Sequence, residues 1–246
     1  MAIEIIPVEG IGEVAPGDDL AVLLGGALAR QQFAPGRGDV LVVTQKIVSK
    51  AEGRFVALDA IEPGEEARRL AAITRKDPRL VELVLSESTA VLRAVPNVLI
   101  VRHRLGLVMA NAGIDRSNIG AGDGERALLL PVDPDASAAC LGAALGCAVV
   151  ISDSFGRPWR MGVTAVGIGA SGLPALHDRR GERDRDGRAL EVTQVAVADL
   201  LACAAALATG EGAESIPAVL VRGYHFSGCA MPASRLNRPL SEDLFQ

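Results

Sequence analysis

The sequence predicts a mixed α+β fold, and three observations carry that expectation. Short unbroken apolar runs such as Val40 to Val43 have the length and β-branched content of buried strands. Other stretches repeat apolar residues at helical spacing, as Leu20, Leu23, Leu24, Ala27 and Leu28 do. The two kinds of segment do not follow the regular strand–helix–strand rhythm of a doubly wound sheet.

Taken in order, Ala2 to Val8 alternates enough for a strand, and Asp18 or Asp19 can cap a helix running to about Gln31. Gly36 and Gly38 punctuate the chain before a buried strand at Asp39 to Thr44. Glu62-Pro63 opens a second helix, with acids in its first turn and Arg68, Arg69, Arg75 and Lys76 towards its end, as the helix dipole favours. After Pro96 come two β-rich runs, Asn97 to Val101 and Leu105 to Ala110. Asp135 to Leu145 reads as a third helix, and Cys147 to Ile151 and Val163 to Ile168 read as strands. His177 to Arg188 is a solvated loop by composition. Thr193 or Glu191 starts an alanine-rich helix that ends near Gly210, and Ala218 to Val221 is the last strand. No repeat or linker divides the chain, so residues 1–246 are expected to form one unit, either a single large domain or two small lobes.

Apolar residues make up 49% and charged residues 22%, the balance of an ordinary globular chain. Aromatics are 3% and the net charge is −5, which argues against stacking platforms and phosphate-backbone binding, so no nucleic-acid partner is expected. No apolar stretch reaches the length of a membrane span. The opening MAIEIIPVEG lacks the basic and apolar regions of a secretory leader, so a cytoplasmic protein is expected. Four cysteines show no metal spacing and read as buried, reduced thiols.

Three segments place polar residues beside buried apolar runs. In TQKIVSKAEGR (Thr44 to Arg54), Lys46, Lys50 and Arg54 are spaced four apart, so a helix would align three cations that suit a polyphosphate. The alternative is a solvated helix face. In NAGIDRSN, Asp115 stands beside Ser117 and Asn118, hard oxygen donors suited to Mg²⁺ or Mn²⁺, although the same composition makes an ordinary turn. In VVISDSFGRPWR, Asp153 and Ser154 emerge from an apolar strand ahead of Arg157 and Arg160. A carboxylate for metal with guanidinium groups for phosphate is a phosphoryl-transfer set, while a capped turn with surface ion pairs is the competing reading.

Two patterns mislead. Gly167, Gly169 and Gly172 spell GxGxxG after a strand, but Pro174 and the charged loop cannot open the helix that a dinucleotide site requires. His103, His177 and His225 stand far apart and read as structural or surface residues.

Together, TQKIVSKAEGR, GIDRSN and SDSFGRPWR resemble the coenzyme F(420)-0:L-glutamate ligase family in order and spacing. The likeness continues through VGIGASG, RGERDRDGR, VTQVAVAD and PAVLVRGY, covering roughly residues 3 to 225. It implies a mixed two-lobed α+β fold intertwined with a second subunit as a homodimer. The implied activity is successive GTP-dependent addition of L-glutamate, by an amide and then a γ-glutamyl linkage, to a deazaflavin coenzyme precursor, assisted by two Mn²⁺ or Mg²⁺ ions and K⁺. By position, Asp115 and Asp153 would hold one metal, and Ser154 and Glu211 the other. Gln45, Lys46, Lys50 and Asn118 resemble nucleotide contacts, as do the turn Ile11, Gly12, Glu13, Val14 and the stretch Thr209, Gly210, Gly212, Ala213, Glu214, Ser215, Ile216. Members often carry Leu-Pro where this chain has Ile11-Gly12, often threonine in place of Ser154, and sometimes glutamine at Glu211. Arg157 and Arg160 could hold the coenzyme's phosphate or a carboxylate. Some bacterial members are fused to a reductase domain, and a sequence stopping at Gln246 leads us to expect the ligase step alone. The rival readings are a nicotinamide-dependent oxidoreductase, resting on GxGxxG, and a non-catalytic nucleotide- or coenzyme-binding module.

Overall fold

A computed structural model describes residues 2–120 and 124–243. Its regular elements begin with strand β1 (Glu4–Pro7), helix α1 (Leu20–Arg30), strand β2 (Val40–Thr44), helix α2 (Gln45–Ala51) and strand β3 (Phe55–Ala57). Helices α3 (Glu65–Thr74) and α4 (Pro78–Ser86) follow, then strands β4 (Ser88–Val95), β5 (Val98–His103), β6 (Val108–Ala110) and β7 (Arg126–Leu128). Helix α5 (Pro134–Leu145) leads into the long strands β8 (Ala148–Arg157) and β9 (Arg160–Ser171). The short pair β10 (Leu176–Asp178) and β11 (Gln194–Ala196), helix α6 (Val197–Thr209) and strand β12 (Ala218–Arg222) complete the order. The class is α+β, as the sequence predicts.

Five strands form the main sheet, in the order β1-β12-β2-β8-β9. Every pairing in it is antiparallel except β2 with β8, which run parallel with Thr44 opposite Ser152. Alternation along the strands sends Leu41, Val43, Val149, Ile151 and Leu220 to one face, against Leu24 and Leu28 of α1 and Leu141 of α5. Val40, Val42, Val150, Val219 and Val221 face the other way, onto Ala198, Leu201, Ala202 and Ala205 of α6. Strands covered on both faces have no polar positions, which is why VLVV and AVVI read as unbroken apolar runs. Each such side chain stabilises the fold by about 1.5–3 kcal/mol through burial.

Between β2 and β8 the chain builds two smaller units. The sheet β4-β5-β6 packs Leu99 and Val101 against Leu70 of α3 and Val81 and Val84 of α4. The pair β3–β7 buries Ala127 with Leu58, Leu83 and Leu129.

Several boundaries differ from the sequence reading. Helix α3 starts at Glu65 and stops at Thr74, because Arg75 takes the left-handed conformation (φ 57°), so Arg75 and Lys76 lie beyond it. Helix α4 and strand β4 were not anticipated, although the Asp77 cap and Pro78 at the first helical position announce α4. The alanine-rich helix begins at Val197, since Gln194–Ala196 is spent pairing with β10. The cysteines carry no disulfide, but only Cys147 is fully buried, and Cys140 and Cys229 are exposed. Among the described residues no helix is long and apolar enough to cross a membrane.

Candidate active site

The parallel pair decides where polar groups gather. β1 and β2 end, β12 begins, and the buried half of β8 ends at Ser152, all at one edge of the main sheet. Val8 N–H donates to the Ala218 carbonyl and Thr44 N–H to the Pro217 carbonyl, each 2.9 Å, which pins the neighbouring turns beside each other. A cleft of about 790 Å³ opens there. It is lined by residues 11–14, by Gln45, Lys46 and Lys50 of α2, by Asp115 and Asn118, by Asp153 and Ser154, and by residues 209–216 apart from Glu214. Segments more than 200 residues apart in sequence thus meet at one opening.

One wall is acidic. Asp153 and Ser154 sit inside β8 rather than after it, where that strand continues past the core. Asp153 Oδ1 accepts from the Ser154 N–H (2.9 Å), and the Ser154 hydroxyl donates to Glu211 Oε2 (3.2 Å). Burial pushes the Asp153 carboxyl up to about 7, with the neighbouring charges of Asp115 and Glu211 adding to the rise. Asp115 reaches the cleft differently. Asn111, Ala112 and Gly113 all have positive φ (52°, 54° and 66°), and this left-handed turn delivers Asp115 to a backbone bridge with Leu128. A Cβ on Gly113 would lie 2.6 Å from Met109 Cε and 3.0 Å from Leu130. Burial raises Asp115 too, opposed by the charge of Lys46 and a hydrogen bond from Gln45.

The other wall is cationic. Lys46 Nζ lies 3.5 Å from Asp115 Oδ1 and donates to the Ser117 carbonyl (3.1 Å). Lys50 is buried, its side chain 6% exposed, and its ammonium contacts Glu13 Oε1 at 2.5 Å, while Glu13 itself stands largely in solvent. Asn118 donates from its side-chain amide to the Gly212 carbonyl (3.1 Å), joining the two loops that roof the cleft. Glu214 does not line it, but accepts from the Gly212 N–H (2.8 Å) and so shapes the turn that does. The expected row of three cations does not form. Helix α2 ends at Ala51, Gly53 turns the chain, and Arg54 points to the Leu130 carbonyl (2.9 Å) and Glu87 (3.1 Å).

Arg157 and Arg160 are not in the cleft. They pair at the exposed tip of the β8–β9 hairpin, across a turn in which Pro158 precedes Trp159 at φ 58°. The glycine motif is a packing device inside β9. A Cβ at Gly167 would meet the Ala198 Cβ at 2.7 Å, and one at Gly169 the Pro134 carbonyl at 2.3 Å, so these glycines let α6 and α5 approach the sheet. Ser49 was missed: it is fully buried one turn after Gln45 and donates to Gln45 Oε1 (2.9 Å). Its four-residue spacing from Gln45 was the signal, but the same segment's lysines at that spacing drew the reading instead. Arg116 was missed as well, and it lines the cleft while pairing with Glu125 (3.2 Å).

No group of three or more His, Cys, Asp or Glu side chains converges into a ready metal cage among the described residues. The donor chemistry nonetheless fits a hard divalent ion. The negative charges of Asp115 and Glu211 both act on Asp153, Lys46 partly offsets them, and Ser154 adds a neutral oxygen. A cation there would offset both the burial and the neighbouring negative charge that raise the Asp153 carboxyl.

Comparison with known proteins gives a consistent answer. A family model described as F420-0:Gamma-glutamyl ligase matches residues 10–223. The chain is 48% identical to a Natronomonas pharaonis protein named Coenzyme F420:L-glutamate ligase, over 91% of this chain and 87% of that protein. It is 46% identical to a Methanothermobacter thermautotrophicus protein of the same name, over 91% and 90% of the two chains. A Methanopyrus kandleri relative, again so named, is 43% identical over 100% of this chain and 98% of its own length.

Proposed function

The chain belongs to the F420-0:Gamma-glutamyl ligase family, and we propose that it is a GTP- and divalent-metal-dependent ligase adding L-glutamate to the phospholactyl tail of the deazaflavin coenzyme precursor. One observation carries the reading: the three motif segments, remote in sequence, meet in a single cleft with carboxylates on one wall and lysines on the other.

A carboxylate is a poor acylating agent, so amide formation requires activation. The precursor's carboxylate oxygen attacks the γ-phosphorus of GTP, the β–γ bridging P–O bond breaks, and GDP leaves. The glutamate amine then attacks the acyl carbon of the resulting acyl phosphate, loses a proton, and displaces inorganic phosphate. Lys46 and Lys50 supply positive charge to the phosphates as they shift from GTP to products. Asp115 and Asp153 would hold one Mn²⁺ or Mg²⁺ ion, and Ser154 and Glu211 a second. Bound there, the two ions would screen the phosphate charge from the acidic wall and act as Lewis acids on the transferred group. A K⁺ requirement is part of the same reading. Asn118, the turn at 11–14 and the stretch 209–216 would hold the nucleotide.

We also read the protein as a cytoplasmic homodimer, with the inserted units between β2 and β8 as a second lobe. Its arm is the β8–β9 hairpin, where Met161 is 98% exposed and Val163 53%. Met161→Asp should shift the sedimentation coefficient to that of a monomer.

Incubation with precursor, GTP, Mn²⁺ and glutamate tests the activity, with mass spectrometry expected to find product heavier by one or more glutamyl residues. Precursor labelled with oxygen-18 in its lactyl carboxylate should pass one label to the released phosphate. Product formed with unlabelled phosphate would rule out the acyl phosphate.

A further inference from the structure

The wall that carries Asp115 contains a hydrogen-bonded chain that phosphate binding does not explain. Ser49 Oγ lies 2.9 Å from Gln45 Oε1, and Gln45 Nε2 lies 2.8 Å from Asp115 Oδ2. Ser49 is 0% and Gln45 3% exposed, so neither has water to fall back on. The alternative amide orientation would set Gln45 Oε1 against a carboxylate oxygen at 2.8 Å, two acceptors facing each other. A serine hydroxyl that donates to Oε1 selects the other orientation and turns the amide N–H to Asp115. Helical geometry makes this possible, since residues four apart on α2 share a face.

We propose that Gln45 is a positioning residue for Asp115, held in orientation by Ser49, and that its side chain is not a nucleotide contact. Both ends of its amide have partners within the protein, and the residue is only 3% exposed although it borders the cleft. The Gln45 hydrogen bond fixes Oδ2 of Asp115, while Lys46 lies against Oδ1, so the plane of the carboxylate is set before anything binds. Outer partners that orient a ligating carboxylate change metal affinity by roughly 10–100-fold when removed. The inference rests on reading Asp115 as a metal ligand.

The test uses Gln45→Met, Ser49→Ala and Asp115→Asn, each checked for a wild-type circular dichroism spectrum. Mn²⁺ affinity is read from the paramagnetic resonance signal of the free ion, and GDP affinity is measured separately in chelator. We expect Gln45→Met to weaken Mn²⁺ binding about ten-fold or more and Ser49→Ala by a smaller factor, with GDP affinity in chelator unchanged for both. If Asp115→Asn loses Mn²⁺ while both other variants keep wild-type Mn²⁺ affinity, the positioning role is overturned and the ligand reading stands. A loss of GDP affinity equal to the loss of Mn²⁺ affinity in Gln45→Met overturns it in favour of a nucleotide contact. If Asp115→Asn itself binds Mn²⁺ like wild type, the ligand reading fails and this inference falls with it. Should Gln45→Met not fold, Ser49→Ala decides alone, because it leaves Gln45 in place.

Discussion

Asp115 and Asp153 reach the same cleft by opposite routes. Asp153 rides on a regular strand that runs out from under its helices, so its position follows from backbone pairing and it carries only a local N–H bond from Ser154. Asp115 is delivered by three consecutive left-handed residues and then held from the side by Gln45 and Lys46. A strand places a carboxylate cheaply but gives it few partners, whereas an irregular turn needs a glycine but delivers a carboxylate held by neighbouring side chains. Backbone strain of this kind persists only where the surroundings over-determine it.

The largest expected effect would strike both routes alike. Asp115→Asn and Asp153→Asn should each lower turnover by at least about a hundred-fold with the fold intact, since each removes a carboxylate of the proposed metal site. Full activity of either variant at limiting metal would break the equivalence. In chelator the two should separate. Asp153→Asn should melt later than wild type, because it removes a buried, repelled charge, while Asp115→Asn should gain less, since the lost Lys46 attraction offsets part of the relief.

The turn itself is the next target. Gly113→Ala combines a positive φ with a 2.6 Å approach to Met109 and should cost about 1–3 kcal/mol in denaturant titrations. Gly156→Ala, on the strand near Asp153 and with nothing within 4 Å, should stay within about 0.5 kcal/mol. Equal costs would show that the two scaffolds do not differ.

Glu87, outside the cleft, shows what a fully answered carboxylate does. The His103 side chain, then Arg104 and Arg54, hold its carboxyl down at about 2. Its folded value is below its unfolded one, so its stabilisation is complete above about pH 4.5 and is lost as pH falls towards 2. Glu87→Gln should flatten that acid limb of the stability profile, and an unchanged limb would remove Glu87 as its source. The smallest effect expected is at Glu13. Its carboxylate occupies the Lys50 ammonium that a phosphate would need, so Glu13→Gln should tighten GTP binding several-fold in an equilibrium titration. Weaker binding would mean that the Glu13 side chain itself, beyond the rest of the turn at 11–14, holds the nucleotide.

The contrast also explains what was readable in the sequence. SDS after AVVI announces itself, because an apolar run that turns polar marks where a strand leaves the core. NAGIDRSN offers Gly113 and Asn111 as hints of left-handed geometry, and nothing in Ala112 signals that it shares it. The Ser49–Gln45 pair needs the register of α2, a helix whose IVS centre favours a strand locally and becomes helical by packing Ile47 and Val48 into the core. Arg157 and Arg160 were misleading for the same reason that Asp153 was legible. Arg157 ends the ten-residue β8 and Arg160 begins β9, so both sit at the hairpin tip, away from the cleft.

The order of strands in the main sheet bears on how the chain is made. β12 lies between β1 and β2, so residues 218–222 close a gap between elements that leave the ribosome near the start of synthesis. Until then the inner edges of β1 and β2 have no partner, and the cleft lacks the wall formed by residues 209–216. Such long-range pairing is slow and leaves strand edges open to the wrong neighbour. Ribosome-bound chains halted before residue 218 should therefore be cut readily by protease within β2, and chains released after residue 222 should resist.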